Sequence, residues 1–379
     1  MPNTSPVALL DVRSQTAALR PLLDAAIARV LDHGQFINGP EVRELESRIA
    51  QYCGSAHAIA CASGSDAILL PLMALNVGPG DRVITTPFTF FATAGSISRL
   101  GATPVFVDIL PGTFNMDPAS LAKRLESLPD SERATVKAIL PVHLFGQCAA
   151  MDPINAIAAQ YGIPVIEDAA QAIGAGYKGR RAGALSWCSS FSFFPSKNLG
   201  GLGDGGIMTT DDPALAAKLR MLREHGSEAR YYHPLVGMNS RLDTLQAATL
   251  LVKLDHLESY AAARRANAAL YRQLLADAGV TLPGEDPDCF HVYNQFTIRS
   301  SQRDALKDRL AARRVSTAVY YPVPLHLQQC FAGLGYHEGD LPESESASKT
   351  VLSLPVDPVL GPMEIASVCR RLKDCLRDA

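Results

Sequence analysis

Residues 57–86 read HAIACASGSDAILLPLMALNVGPGDRVITT: a short apolar run, a helix-length segment, then a second short apolar run. His57–Cys61 has strand composition, Ser65–Leu75 is predicted helical, and Arg82–Thr86 is predicted to be a second strand. Neither run alternates strictly, which is how strands covered on both faces read. The rhythm continues downstream. Strands are expected at Thr103–Val107, Val136–Pro141 and Pro164–Glu167, separated by helices at Phe91–Leu100, Pro118–Leu128 and Pro153–Tyr161. Alternation with short connections predicts an α/β fold with a mostly parallel sheet flanked by helices. Ligands of such sheets bind beyond the carboxyl ends of the strands.

Working outward, Thr16–Leu31 carries Leu19, Leu22, Leu23, Ala26, Ile27 and Val30 at helical spacing, and a second helix is expected over Glu41–Tyr52. After Gly206 the pattern changes. Pro213–Glu224 is predicted helical, and Asp243–Ala278 reads as one long alanine-rich helix or two joined. Gly279–Asp288, with two prolines, reads as a boundary. A second αβ unit follows, with strand Val292–Ile298, helix Arg303–Arg313, strand Ser316–Tyr320 and terminal helix Glu364–Leu376. The expected division is a large domain over 1–245, including the N-terminal helices, and a long connecting helix with a smaller α/β domain over 246–379.

Composition narrows the function classes. The 379 residues are 47% hydrophobic and 19% charged, enough apolar material for a substantial core. The formal net charge of -3, with both signs interspersed, offers no surface for nucleic acid. No apolar run is long enough to span a bilayer, which needs about 20 residues. The start, MPNTSPVALLDVRSQ, lacks the basic and apolar blocks of a secretory signal. The eight cysteines are scattered, without CxxC or metal spacing, so buried thiols in a reducing, cytoplasmic setting are expected.

Four features fall at expected strand ends. Ala62-Ser63-Gly64-Ser65-Asp66 opens a helix, where backbone amides and the helix dipole suit a phosphate; the same residues also suit an ordinary cap with Ser65 as the capping residue. Pro87-Phe88-Thr89-Phe90-Phe91 offers either a stacking platform for a flat ring or core aromatics. Glu167 and Asp168 end a buried strand, costly unless a cation or hydrogen-bond donors meet them. Asp168 would suit holding a pyridine nitrogen protonated, and its plainer reading is a helix N-terminal acid. Finally, SSFSFFPSKNLGGLGDGG over Ser189–Gly206 places Lys197 on a glycine-rich turn past Pro195, where an amine can lose its proton and attack a carbonyl. A solvated loop lysine is the alternative. Together, a phosphate cradle, an aromatic plate, a buried carboxylate and a lysine make a pyridoxal phosphate (PLP) site.

The motifs FINGPEVRELESRIAQYCG, CASGSDAI, TTPFTFFATA, PVHLFGQ, IEDAAQAIGA, SFFPSKNLGGLGDGG and GMNSRLDTLQAA run over nearly the whole chain. In them the sequence resembles the PLP-dependent nucleotide-sugar aminotransferases of the DegT/StrS family, within the aspartate-aminotransferase fold type I group. The resemblance implies a seven-stranded, mostly parallel sheet and a cofactor site at a homodimer interface. It implies Lys197 as the Schiff-base lysine, Asp168 under the pyridine nitrogen, Gln171 near the ring hydroxyl and Phe90 stacked on the ring. Ser192 and the amides around Gly64, Ser65 and Asp66 would hold the phosphate, and Asn239 would reach the phosphate of the neighbouring subunit. Ser65 stands where many relatives have threonine, which keeps the hydroxyl.

Lys197-Asn198-Leu199-Gly200 and Tyr320-Tyr321-Pro322-Val323-Pro324-Leu325-His326 resemble relatives acting at sugar C3, with Tyr321 and His326 as candidate substrate contacts. His326 reads equally well as a structural histidine, and His143 is read as a packed strand-end residue. The implied reaction moves an amino group from L-glutamate to a keto nucleotide sugar of UDP or dTDP type, in the biosynthesis of a glycan or glycosylated metabolite. Three alternatives stand beside it. A dehydratase of the same family would carry histidine in place of Lys197. A non-catalytic PLP-binding regulator is the second, and an aminotransferase for a 4-keto sugar or keto-cyclitol is the third.

Overall fold

The computed structural model describes residues 5–377. The first four residues of the stretch read for a signal therefore lie outside the described part. Two helices open it, α1 (Val12–His33) and α2 (Pro40–Cys53). Asp11 caps α1 by accepting from the Ser14 amide, and Pro40 supplies the fixed φ suited to a first helical position. The predicted rhythm then unfolds as β1 (His57–Cys61), α3 (Gly64–Ala74), β2 (Arg82–Thr85), α4 (Ala92–Arg99), β3 (Thr103–Phe106), α5 (Pro118–Ser127), β4 (Val136–Leu140), α6 (Met151–Gln160) and β5 (Ile166–Asp168). Next come β6 (Cys188–Ser192), β7 (Gly206–Thr210), α7 (Pro213–Arg223), α8 (Thr244–Leu254) and α9 (Leu257–Leu275). The long alanine-rich segment is thus two helices, parted at Asp255 and His256.

The strands form a four-stranded block, β1-β7-β6-β5, and a three-stranded block, β3-β2-β4. The second block is wholly parallel, whereas the first is mixed: β7 runs antiparallel to both β1 and β6. Only β5 and β6 pair in parallel there. The antiparallel strand is the hairpin partner of β6, and the turn between them carries Lys197. Isolated parallel bridges, Ile139 with Val165 and Val142 with Asp168, cross from the β4 segment to the β5 segment.

Both faces are covered. Ile84, Ile139, Phe191 and Ile207 pack on one side with Leu45 and Ile49 of α2. Ile59, Val83, Ile166 and Met208 pack on the other with Ile68 of α3 and Leu219 of α7. Each such fully buried side chain contributes about 1.5–3 kcal/mol, which explains why the strands read as unbroken apolar runs.

A separate apolar cluster joins Tyr271 of α9 to β8 (Phe296–Arg299), α10 (Arg303–Ala312), β9 (Val351–Leu354) and the terminal helix (Pro362–Arg377). Here one expectation is corrected. Ser316–Tyr320 is no strand; Val315 and Ala318 make only single bridges, to Val7 and Ser353. The partner of β8 is β9, with Phe296 opposite Leu354. Its four residues follow directly on the polar helix Pro342–Thr350, too short a run to stand out.

Candidate active site

The carboxyl ends of β1, β5 and β6 lie at one edge, with the amino end of β7, because Gly206 pairs with both Cys61 and Ser192. At that edge the β6–β7 turn is tightly built. The Phe193 amide donates to Gly205 O at 2.8 Å, Gly201 to Phe193 O at 2.7 Å, and Lys197 to Phe194 O at 2.8 Å. A Cβ on Gly200 would sit 2.4 Å from Pro195 O, so the chain turns there only with glycine. The turn leaves Lys197 partly buried, and desolvation lowers its pKa to about 8 against the opposing pull of Asp168. That amine is far easier to deprotonate than an ordinary lysine.

Asp168, at the end of β5, is 4% exposed. Burial raises its pKa; the Thr93 hydroxyl, the Ala170 amide and the charge of Lys197 pull the other way. Thr93 Oγ1 donates to Asp168 Oδ2 at 2.7 Å, and the Ala170 amide donates to Oδ1 at 3.2 Å. The preceding acid is handled differently. Glu167 accepts from His143 Nε2 at 3.0 Å, from the Gly183 and Leu185 amides at 2.9 Å each, and from Ser186 Oγ at 3.1 Å. Burial alone would raise its pKa, but His143 and the amides outweigh it and leave it below the ordinary value. His143 is thus a packed strand-end residue, as expected.

The aromatic motif divides. Phe88 is fully buried in an apolar cluster with Phe114 and Phe145. Phe90 is 58% exposed, its ring 6.3 Å from that of Tyr321. Gln171 joins the same group: its Oε1 accepts from the Phe145 amide at 2.7 Å and its Nε2 donates to Tyr321 Oη at 3.0 Å. Tyr321 is therefore brought to the site, and desolvation raises its pKa.

At the start of α3 the cap is Ser63, whose Oγ accepts from the Asp66 amide at 3.1 Å, and not Ser65. The helix begins one residue earlier than expected, which leaves Ser65 exposed at its first turn. A Cβ on Gly64 would lie 2.6 Å from Ser192 Cβ, and one on Gly206 would lie 2.4 Å from Ser63 O. Two candidate phosphate-binding positions, Gly64 and Ser192, are thus close-packed at a helix N-terminus, with the exposed Ser65 next in the chain. Asp66 is turned to Ser240, whose Oγ donates to it at 2.7 Å. Asn239 is exposed, its backbone bridged to Glu224.

His326 is held by a carboxylate. It is 1% exposed, and its Nε2 donates to Glu345 at 3.2 Å, a carboxylate that also accepts from the Gly339 and Leu341 amides. It braces a loop, in line with its structural reading, and its Nδ1 is buried without a hydrogen-bond partner among the described contacts. Conversely, Thr93 and Ser240 entered the site unannounced. Helical spacing gave no signal for Thr93, because Thr89 lies in the bend before α4.

Lys197, of lowered pKa, and the buried Asp168, whose charge acts on it, thus lie at this sheet edge with the Gly64–Ser192 contact. Comparison with known proteins gives the family. The family model described as DegT/DnrJ/EryC1/StrS aminotransferase family matches residues 19–373. The chain is similar to a Geobacillus stearothermophilus protein named "Pleiotropic regulatory protein", 49% identical over 98% of this chain and 99% of that one. It is 47% identical to the Pseudomonas aeruginosa "UDP-2-acetamido-2-deoxy-3-oxo-D-glucuronate aminotransferase", over 97% of this chain and 99% of the relative. Among solved structures, Streptomyces venezuelae DesV in complex with a ketimine intermediate superposes with a TM-score of 0.92 at 44% identity, covering 98% of both chains. On this family match and these relatives, the chain belongs to the DegT/DnrJ/EryC1/StrS aminotransferase family.

Proposed function

We propose that this aminotransferase uses PLP to move an amino group from L-glutamate to the C3 keto group of a UDP- or dTDP-linked hexose. The observation that carries the reading is the buried Asp168 carboxylate set against the lowered-pKa amine of Lys197. The residues fit the group: the Gly64–Ser192 cradle has room for no side chain at Gly64, and Phe90 presents an open ring face. When bound, PLP supplies a carbonyl that condenses with amines and a ring that takes up electrons.

Each residue then has a task. Lys197 Nζ would hold the cofactor and would carry a proton as general base and acid. Asp168 would keep a ring nitrogen beside it protonated, because a carboxylate beside a cation raises that cation's pKa. Gln171 and Phe90 would hold the ring, while Ser192, Ser65 and the first amides of α3 would hold the phosphate. Tyr321, bonded to Gln171, lies where an acceptor sugar would meet the ring. The C3 preference is supported by the relative named for a 3-oxo sugar.

The same reading takes the two strand blocks as one seven-stranded layer, joined through the Val142–Asp168 bridge, and 1–245 and 246–379 as its two domains. It also takes the active form as a homodimer, with Asn239 reaching the partner's phosphate. Supporting this, Phe90, Phe194, Leu202, Tyr231 and Val236 are exposed apolar side chains, Val236 by 91%. Among the described residues no helix is long and apolar enough to cross a membrane, consistent with a cytoplasmic enzyme. Incubating the PLP-loaded protein with glutamate and a panel of 3-keto and 4-keto nucleotide sugars, with products identified by mass and NMR, tests the reading. Amination of a 4-keto sugar or a keto-cyclitol alone would replace it.

A further inference from the structure

Thr93 lies on α4, a different element from any of the strands that end at the site, yet it touches two of the site's parts. Its hydroxyl donates to Asp168 Oδ2 at 2.7 Å, and its amide donates to Phe90 O at 3.2 Å. Thr89 Oγ1 stands 3.1 Å from Thr93 Oγ1. All three side chains are nearly sealed from solvent: Thr89 at 3%, Thr93 at 1% and Asp168 at 4%. An ionised carboxylate only accepts, so the proton of Thr93 points to Asp168 and that of Thr89 to Thr93. The order Thr89, Thr93, Asp168 is therefore a one-way chain of donors ending on the acid.

We propose that Thr93 is a positioning residue for catalysis: its hydroxyl aims and keeps ionised the Asp168 carboxylate, while its amide fixes the turn that carries the Phe90 ring. The proposal rests on the reading of Lys197 and Asp168 as the PLP-binding pair. The chemistry behind it is general. A buried carboxylate with few donors drifts toward its neutral form, and a neutral acid cannot hold a proton on a ring nitrogen. The charged or titratable groups around Asp168 are Lys197 on the β6–β7 turn, His143 past β4, and Tyr321 from the C-terminal part. None of them hydrogen-bonds Asp168 Oδ2 among the described contacts, where Thr93 does.

The test uses the full-length, PLP-loaded protein with Thr93→Val, which keeps the shape and removes the hydroxyl, and Thr93→Ser, which restores it. Thr93→Val is expected to bind PLP and show its visible band, because Lys197 is intact. The pH midpoint of that band should shift upward by about one unit, since a ring nitrogen that loses its proton withdraws fewer electrons. PLP affinity should weaken roughly tenfold, and kcat should fall about 10–100-fold with KM for glutamate little changed, the scale of a lost bond to a charged group. Thr93→Ser should recover all three. If Thr93→Val does not fold, Thr93→Ala carries the same measurements. A hydroxyl-free variant with the wild-type midpoint, affinity and kcat would overturn the proposal, as would a serine variant that recovers nothing. A wild-type protein that forms no band with PLP would instead overturn the Lys197 reading, and this one with it.

Discussion

His143 and Glu167, both fully shielded from solvent, are joined at 3.0 Å on the far side of the strand that presents Asp168. Successive side chains on a strand point to opposite faces, so the two consecutive acids serve two different environments. Glu167 ties β5 to the loop holding Gly183 and Leu185, while the Ala149 amide donates to His143 Nδ1 at 3.1 Å. Asp168, proposed to face the cofactor, is mounted on this anchored strand end.

Replacing Glu167 by Gln removes the charge and sets an amide N–H against the donors that met a carboxylate. The cost should be on the order of 2 kcal/mol at neutral pH, the scale of leaving a buried donor unsatisfied. The folded-state pKa of Glu167 is depressed, so its stabilisation is present above its ordinary value and lost as pH falls through the folded value. Chemical denaturation of wild type and Glu167→Gln should therefore show a gap at neutral pH that closes under acid conditions.

Asp168 has the opposite sign. Its folded pKa is raised, chiefly by burial, so the ionised form costs stability above that pKa and the cost vanishes as pH falls. Asp168→Asn should leave the cofactor-free protein at least as stable as wild type at neutral pH. Transamination should nonetheless fall by at least roughly two orders of magnitude, as for loss of a placed electrostatic partner. Thermal unfolding and steady-state kinetics on the same samples measure both.

The lowered pKa of Lys197 predicts when its amine reacts. With a value of about 8, half the amine is free near that pH, where an ordinary lysine remains almost wholly protonated. Labelling of cofactor-free protein by a small amine reagent, followed peptide by peptide, should rise at Lys197 with a midpoint near pH 8. The exposed Lys349 should rise only well above it, since Glu338 raises its pKa.

The phosphate cradle tolerates no added atoms. Gly64→Ala would press a methyl group within 2.6 Å of Ser192 Cβ. Overpacking of this kind costs about 1–3 kcal/mol. Because the clash lies inside the cradle, PLP affinity should drop at least about tenfold, with circular dichroism little changed. Fluorescence titration with PLP measures the loss.

Much of this was legible in the sequence for a physical reason. Strands covered on both faces appear as short apolar runs, and the helices between them carry their own caps and periodicity. The Lys197 turn announced itself because proline and glycine there have few other uses. What stayed hidden was pairing at a distance. Nothing local in Gly206–Thr210 says that β7 runs antiparallel between β1 and β6. Likewise, β9 is a strand because Phe296 lies opposite Leu354, and its own four residues carry too little pattern. His326 is bonded to Glu345, nineteen residues on, a partner that its own motif does not announce. Thr93 was overlooked because its partner Asp168 is 75 residues away.

The central claim is that one amine, Lys197 Nζ, carries the cofactor. Reducing the PLP-loaded protein with borohydride and mapping its peptides by mass tests it most directly. The label should fall on the peptide containing Lys197, and Lys197→Ala should yield neither label nor transamination. A label fixed reproducibly on another lysine, or a Lys197→Ala variant aminating a keto sugar at the wild-type rate, would contradict the account.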